Sequence, residues 1–195
     1  MNTLKFNSNF EMVIRKSKFI GYAYRVDSEE QAKSIIKEIE RKYFDARHIV
    51  YAYKIGDYLI KKENSSEPAG TAGTPILCAI ENNNLTNTLV IVIRYFGGVL
   101  LGASNLYRAY SDTALGVINA NEKIVLNKYL KYNLVVNYIE YAKLTSLANK
   151  SDDLKIICSN YTDAVEVVIA VKENANNQFL NSLIENKECL EEVWL

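Results

Sequence analysis

Alternating apolar and polar positions predict a strand, a helix and a hairpin in the first third of the chain. The aromatic and β-branched stretch 18–26 is typical of a strand. Ser28 and Gln31 have the spacing of a capping box, and the apolar residues that follow recur at helical spacing. We therefore expect a helix of roughly four turns here. Residues 49–60 predict a hairpin with its turn at 56–57.

The next segments predict two helices around a buried strand. Residues 63–73 are small and polar, which indicates a loop, and Thr74 before Pro75 is typical of a helix start. The β-branched run 88–94 is apolar enough to be buried on both faces of a sheet. A helix is predicted over 104–119. Its expected buried stripe is Leu106, Ala109, Tyr110, Ala114, Val117 and Ile118.

The last third predicts a β-α-β-β-α-β order, which is the ferredoxin-like plan. The expected elements are a strand over 129–137, a helix to about residue 149 opened by Asn137 and Glu140, strands over 153–160 and 164–172, a helix over 175–186 and a strand over 188–195. We therefore place a boundary near residues 121–127 and expect two domains, 1–124 and 125–195. The predicted fold class is α+β, with an N-terminal β-α-β domain and a ferredoxin-like C-terminal domain.

Composition fits a globular protein without disulfides or metal. The chain has 195 residues, of which 49% are hydrophobic and 24% charged. Its three cysteines lie far apart and show no metal-ligand spacing, so we expect no metal and no cofactor. No apolar run approaches the length of a membrane span, and the N-terminus has no apolar signal region. We expect a cytoplasmic protein without a membrane partner.

Zero net charge hides an asymmetry between the two halves. Up to Val125 the chain holds 16 basic and 13 acidic residues, and after it 7 and 10. The N-terminal half therefore carries about +3. This excess is small for a nucleic-acid-binding protein, and from charge alone we favour ordinary surface solvation as its explanation.

Two glycine-rich loops, 67–75 and 94–104, each lead into a predicted helix. Helix N-termini expose unpaired N–H groups and attract anions, and glycine permits close approach to the backbone. Candidate ligands for an anion or RNA are Gly70, Thr71, Gly73, Thr74, Arg94, Gly97, Gly98, Gly102, Ser104 and Arg108. In the alternative interpretation the glycines serve only turns, and Arg94 pairs with Glu67.

Arg47 and His48 stand at the start of a predicted strand, at the rim of the candidate site. His48 is the only histidine, and no nucleophile-elbow motif accompanies it. A lone histidine at a strand end is more often a packing or surface residue than a ligand. We nevertheless include Arg47, His48 and Glu67 among the candidate binding residues. We predict no catalytic residue.

With these loops identified, the sequence resembles the YigZ/IMPACT family of translation-linked proteins over roughly residues 15–110. The matching segments keep the order and spacing of the family. They are KSKFI at 16–20, DARH at 45–48, YAY at 51–53, EPAGTAG at 67–73, PIL at 75–77, LTN at 85–87, RYFGG at 94–98, LG at 101–102, Leu106 and RAY at 108–110.

The resemblance implies an N-terminal domain like the second domain of a small-subunit ribosomal protein and the fourth domain of elongation factor G. It implies a ferredoxin-like C-terminal domain like the fifth domain of that factor. Two departures stand out. Asn64, Ser65 and Ser66 replace two acidic residues and a glycine of the family pattern, and Ser104 and Asn105 replace two glycines. The lost carboxylates argue against metal-dependent chemistry.

Our leading hypothesis is a non-enzymatic, translation-associated protein that regulates initiation or ribosome function. It would bind RNA or a phosphate-bearing ligand at the two loops. The alternative is a hydrolase of a phosphate ester or small peptide, with His48 and Glu67 converging on a common pocket. A third hypothesis, a protein-binding adaptor, predicts a large exposed apolar patch.

Overall fold

The computed structural model describes residues 1–57 and 59–194, and the chain divides into two compact units, Met1–Val125 and Leu126–Leu195. Each unit combines an antiparallel sheet with helices. The predicted α+β class is therefore confirmed. Tyr58, which we expected in the hairpin, and Leu195, at the end of the last predicted strand, lie outside the described residues.

The first unit is built on a five-stranded antiparallel sheet of order β2-β3-β6-β4-β5. A separate antiparallel pair joins β1 to β7. The elements are β1 (Asn2–Leu4), β2 (Ser8–Ile14), β3 (Ser17–Arg25), α1 (Glu29–Lys42), β4 (His48–Ile55), β5 (Leu59–Glu63), α2 (Gly73–Asn82), β6 (Thr88–Tyr95), α3 (Ala103–Asn119) and β7 (Lys123–Val125).

Strand β6 lies at the centre of this sheet and contributes side chains to the hydrophobic core on each of its two faces. Val90 and Val92 pack with residues of α2 and α3 on one face. Leu89, Ile91 and Ile93 pack with residues of α1 on the other. Because successive side chains of a strand point to opposite faces, burial on both sides requires an unbroken apolar run. The prediction for this strand is confirmed, as is the buried stripe of α3.

Register places three side chains beside one another at the end of the sheet. Arg94 on β6 is opposite His48 on β4 and opposite Phe19 on β3. Directly opposed residues of antiparallel strands project to the same face. Here that face is the one covered by α2 and α3, because Phe19 belongs to their core.

Helix α2 starts earlier than predicted. Its N-cap is Ala72, not Thr74, so the expectation of a hydroxyl cap is wrong. The side chain of Asn64, nine residues before Gly73 in the chain, takes the role of the cap. Its Oδ1 accepts a hydrogen bond from the N–H of Gly73 at 2.8 Å. The Thr74 hydroxyl instead accepts from Lys62 Nζ at 3.2 Å.

The second unit has the strand order β11-β8-β10-β9, which is the ferredoxin-like arrangement expected from the sequence. Its elements are β8 (Lys128–Val136), α4 (Tyr138–Lys150), β9 (Leu154–Tyr161), β10 (Val165–Lys172), α5 (Gln178–Ile184) and β11 (Glu191–Trp194). Asn137 and Glu140 form the predicted capping box at the start of α4. Within residues 1–57 and 59–194 we find no helix long and apolar enough to span a membrane.

Candidate functional site

A cavity of about 410 Å³ opens at the end of the first unit's sheet where β4 begins and β6 ends. A volume of this size is typical of small-molecule sites. Two chain segments, 66–68 and 96–103, close it from either side. The lining residues are Arg47, His48, Ser66, Glu67, Pro68, Arg94, Phe96, Leu100, Leu101, Gly102, Ala103 and Leu106.

A buried ion pair forms the polar wall of this cavity. Arg94 is 5% exposed and Glu67 is 8% exposed, and Arg94 Nη1 donates to Glu67 Oε1 at 2.7 Å. The hydroxyl of Tyr110 on α3 donates to the same oxygen at 2.8 Å. Burial raises the pKa of Tyr110 far above its usual range, and the Glu67 charge adds to the rise, so the phenol stays protonated and donates. The pairing of Arg94 with Glu67 that the alternative interpretation expected is present.

The guanidinium of Arg94 lies near two aromatic rings. Its central carbon is 5.6 Å from the ring centre of Phe19 and 5.5 Å from that of Phe96. Stacking of this kind favours arginine, whose planar head is weakly hydrated. Arg94 Nε is buried, yet it has no hydrogen-bond partner within the described residues. A buried donor without an acceptor is costly.

His48 approaches the carboxylate of Glu67 from β4. Its Nδ1 lies 3.0 Å from the carbonyl oxygen of Ser65, which can only accept, so Nδ1 carries a proton in this contact. Nε2 lies 3.9 Å from Glu67 Oε1, beyond hydrogen-bond distance. Ser65 and Ser66 both have positive φ, 45° and 54°, a conformation that non-glycine residues adopt rarely and that is often found at functional sites.

The loop between β6 and α3 is fixed by its glycines. A Cβ on Gly97 would lie 2.1 Å from the backbone carbon of Lys16, and the Gly97 N–H donates to Ser17 Oγ at 3.2 Å. Gly102 has φ +77° and is the N-cap of α3. No side chain of the described residues caps this helix, and its first turn contains no acid. Unpaired N–H groups at the start of α3 therefore stand at the cavity wall.

The structure brings together some of the predicted binding residues and leaves others apart. Arg47, His48, Glu67, Arg94 and Gly102 line the cavity. The remaining candidates are not among its lining residues in the described chain: Gly70, Thr71, Gly73, Thr74, Gly97, Gly98, Ser104 and Arg108.

In the first glycine loop, nearby residues of the same segment already occupy hydrogen-bonding groups that a ligand would use. Asn64 occupies the Gly73 N–H at the start of α2, and the Thr71 hydroxyl donates to the carbonyl of Pro68 at 2.7 Å. This loop therefore contributes a carboxylate to the cavity rather than backbone amides. Only the second loop presents a helix N-terminus there.

Sequence reasoning missed the apolar part of the site. Phe96, Leu100, Leu101 and Leu106 line the cavity, and Leu100 is 84% exposed. The pattern that indicates them is an apolar stretch inside a glycine-rich loop, where polar residues are more common. Large exposed apolar residues at a concave surface are typical of binding sites.

Comparison with known proteins identifies the family. Residues 15–118 match the Impact N-terminal domain. The chain is 32% identical over 187 residues to the IMPACT family member YvyE of Bacillus subtilis (strain 168), covering 94% of this chain and 85% of that protein. The chain belongs to the IMPACT family. All the residues that line the cavity lie within the matched domain.

Further relatives extend the similarity over most of the chain. The IMPACT family member YigZ of Escherichia coli (strain K12) is 31% identical over 165 residues, covering 81% of this chain and 79% of that protein. A crystal structure described as that of a hypothetical protein superposes with a TM-score of 0.71 and 26% identity, covering 94% of this chain and 91% of the other. The two-unit α+β fold is thus shared with a solved structure.

Proposed function

We propose that this IMPACT family protein has a translation-related role, and that it binds RNA or another phosphate-bearing ligand in the cavity. Membership of the family supports the translation-related part. The observation that carries the binding part is the buried guanidinium of Arg94. It lines the cavity together with the uncapped start of α3.

Charge at the site favours an anion. The lining carries two guanidinium groups, of Arg47 and Arg94, against the single carboxylate of Glu67. Arg47 is exposed and Arg94 is buried, so one attracts the ligand from solvent and the other meets it inside. A phosphate oxygen accepts hydrogen bonds from arginine and from the N–H groups of a helix N-terminus.

Two matched variants test this proposal. Arg47 lines the cavity, whereas Arg108 is also exposed but lies on α3, outside the lining recorded for the described residues. Calorimetry with inorganic phosphate and with an RNA oligonucleotide at about 50 mM salt should show weaker binding for Arg47→Ala and unchanged binding for Arg108→Ala. For RNA, Arg47→Ala should also reduce the log–log salt slope by about 1.

A third variant tests the proposal by the direction in which phosphate affinity changes. Glu67→Gln keeps an oxygen that accepts from Arg94 and Tyr110, and it removes the only negative charge among the described residues of the lining. Phosphate should therefore bind more tightly to this variant than to the wild type. Absence of phosphate and RNA binding at about 50 mM salt, or equal losses in both arginine variants, refutes the proposal.

A hydrolase remains the second candidate because one specific observation favours it. His48 Nε2 and Glu67 Oε1 lie 3.9 Å apart, and both residues line one cavity. A panel of phosphate monoesters and dipeptides tests it. Under the hydrolase hypothesis Glu67→Gln and His48→Gln abolish turnover, whereas under the binding hypothesis Glu67→Gln strengthens phosphate binding and the wild type turns nothing over.

A further inference from the structure

Phe96 gives the cavity a flat aromatic surface beside its positive charge. From this we infer that the ligand is a nucleotide unit, free or within a single strand, whose base stacks on the Phe96 ring. The inference rests on the proposed function, because it assigns the phosphate of that same ligand to Arg94 and the start of α3.

The ring of Phe96 lies close to the guanidinium of Arg94, whose central carbon is 5.5 Å from its ring centre. Phe19, at 5.6 Å from the same carbon, is fully buried, whereas Phe96 is 39% exposed. The exposed part of the Phe96 ring can contact another planar group. Every base has a π-face, so stacking on an aromatic side chain recognises bases of any sequence.

The position of the ring is fixed by its neighbours in the chain. Phe96 stands between Tyr95, the last residue of β6, and Gly97, which packs against the backbone of Lys16 and Ser17. The Gly97 N–H bond to Ser17 Oγ ties the loop to β3. A platform held in place before binding loses little conformational freedom when the ligand arrives.

The remaining lining also suits a base better than a bare phosphate. Leu101 and Leu106 are almost fully buried, and Leu100 is exposed at the cavity. Inorganic phosphate gains nothing from such surface, whereas the face of a nucleobase does. The short separation of Arg94 from Phe96 places a cation and an aromatic surface within reach of one nucleotide.

Three probes separate the base from the phosphate: inorganic phosphate, ribose 5-phosphate and adenosine 5′-monophosphate. Their affinities are measured by calorimetry on the full chain, together with that of a short oligoadenylate. Wild type should bind the mononucleotide more tightly than the sugar phosphate. Phe96→Leu should weaken binding of the mononucleotide by about 5- to 150-fold and leave the sugar phosphate unchanged. Phe96→Tyr, which keeps the ring, should bind nearly as the wild type does.

Phe6→Leu is the matched control. Phe6 is 49% exposed, lies in the same unit and is not part of the cavity lining. Its substitution should leave all affinities unchanged. Equal affinity of wild type for mononucleotide and sugar phosphate, or equal behaviour of Phe96→Leu and Phe6→Leu, overturns the stacking inference while phosphate binding stands. If the wild type binds no phosphate-bearing probe at all, the proposed function itself is overturned.

The oligoadenylate distinguishes the two sources of the nucleotide. Tighter binding of the oligoadenylate than of the mononucleotide identifies a strand as the source of the nucleotide, and equal binding identifies a free nucleotide.

Discussion

The hydroxyl of Tyr110 forms a buried hydrogen bond with Glu67, and Tyr110→Phe removes it. The ring is fully buried, and its edge-to-face contact with Phe19, with ring centres 5.4 Å apart, is retained. The lost donor leaves Glu67 with Arg94 as its hydrogen-bond partner at Oε1. A hydrogen bond to a charged group contributes about 1.5–3 kcal/mol. Because Glu67 is only 8% exposed, water does not readily replace the phenol, and we expect a loss of that size.

Tyr53→Phe is the matched control for this variant. Tyr53 is also fully buried, and its hydroxyl also donates to a carboxylate, Glu29 Oε1, at 2.8 Å. The Glu29 side chain is 30% exposed, so water can take the place of the lost donor. The two substitutions therefore delete the same atom from equally buried rings and differ in the solvation of the acceptor. Tyr53→Phe should cost clearly less.

Urea unfolding of the full chain measures both losses, and hydrogen exchange of peptides from β4 and β6 assigns them to the first unit. Assignment matters because a chain with two units need not unfold in a single transition. If Tyr110→Phe costs no more than Tyr53→Phe, Glu67 is hydrated in the folded protein. The argument that this carboxylate is a buried partner of Arg94 would then be wrong.

Other variants test separate parts of the fold. Gly97→Ala forces a Cβ into the backbone of Lys16 and should cost at least about 1–3 kcal/mol in urea unfolding, with loss of ligand binding. Asn137→Ala removes the capping box of α4 and should cost about 1 kcal/mol in the same assay. The Tyr53 hydrogen bond is the largest cause that lowers the pKa of Glu29, so this carboxylate contributes stability above its unfolded pKa and loses it as pH falls through its folded pKa. Tyr53→Phe should raise the pKa of Glu29 toward its ordinary value, as measured by NMR titration.

Local patterns sufficed for the elements that have a strong apolar periodicity. The central strand β6, the stripe of α3 and the order of elements in the second unit all follow from side-chain spacing. The strand β2 is absent from our sequence prediction, although Phe10 and Met12 alternate with the polar residues Asn9 and Glu11 along it. The pair of β1 with β7 joins two three-residue strands that lie over 110 residues apart. Segments so short carry no detectable period, and only the tertiary fold brings them together.

The site was harder to predict because its key partners are distant in sequence. A local rule assigned the cap of α2 to Thr74, but Asn64, nine residues before Gly73, satisfies that helix N-terminus. The alternative pairing of Arg94 with Glu67 was foreseen from charge alone. The approach of the Arg94 guanidinium to Phe19 does not follow from the sequence, because Phe19 reaches the site through strand pairing rather than through sequence proximity.

The ion pair decides what kind of binding site this is. A guanidinium as buried as that of Arg94 needs a counterion, and Glu67 supplies one, so the pair adds almost no net charge to the cavity. Attraction of an anion then depends on Arg47 and on the start of α3 rather than on a broad basic surface. A site of this kind binds through geometry and stacking, and its affinity should depend on salt about as strongly as one or two phosphate contacts require. Such a site needs no extended basic surface, in a chain whose net charge is zero.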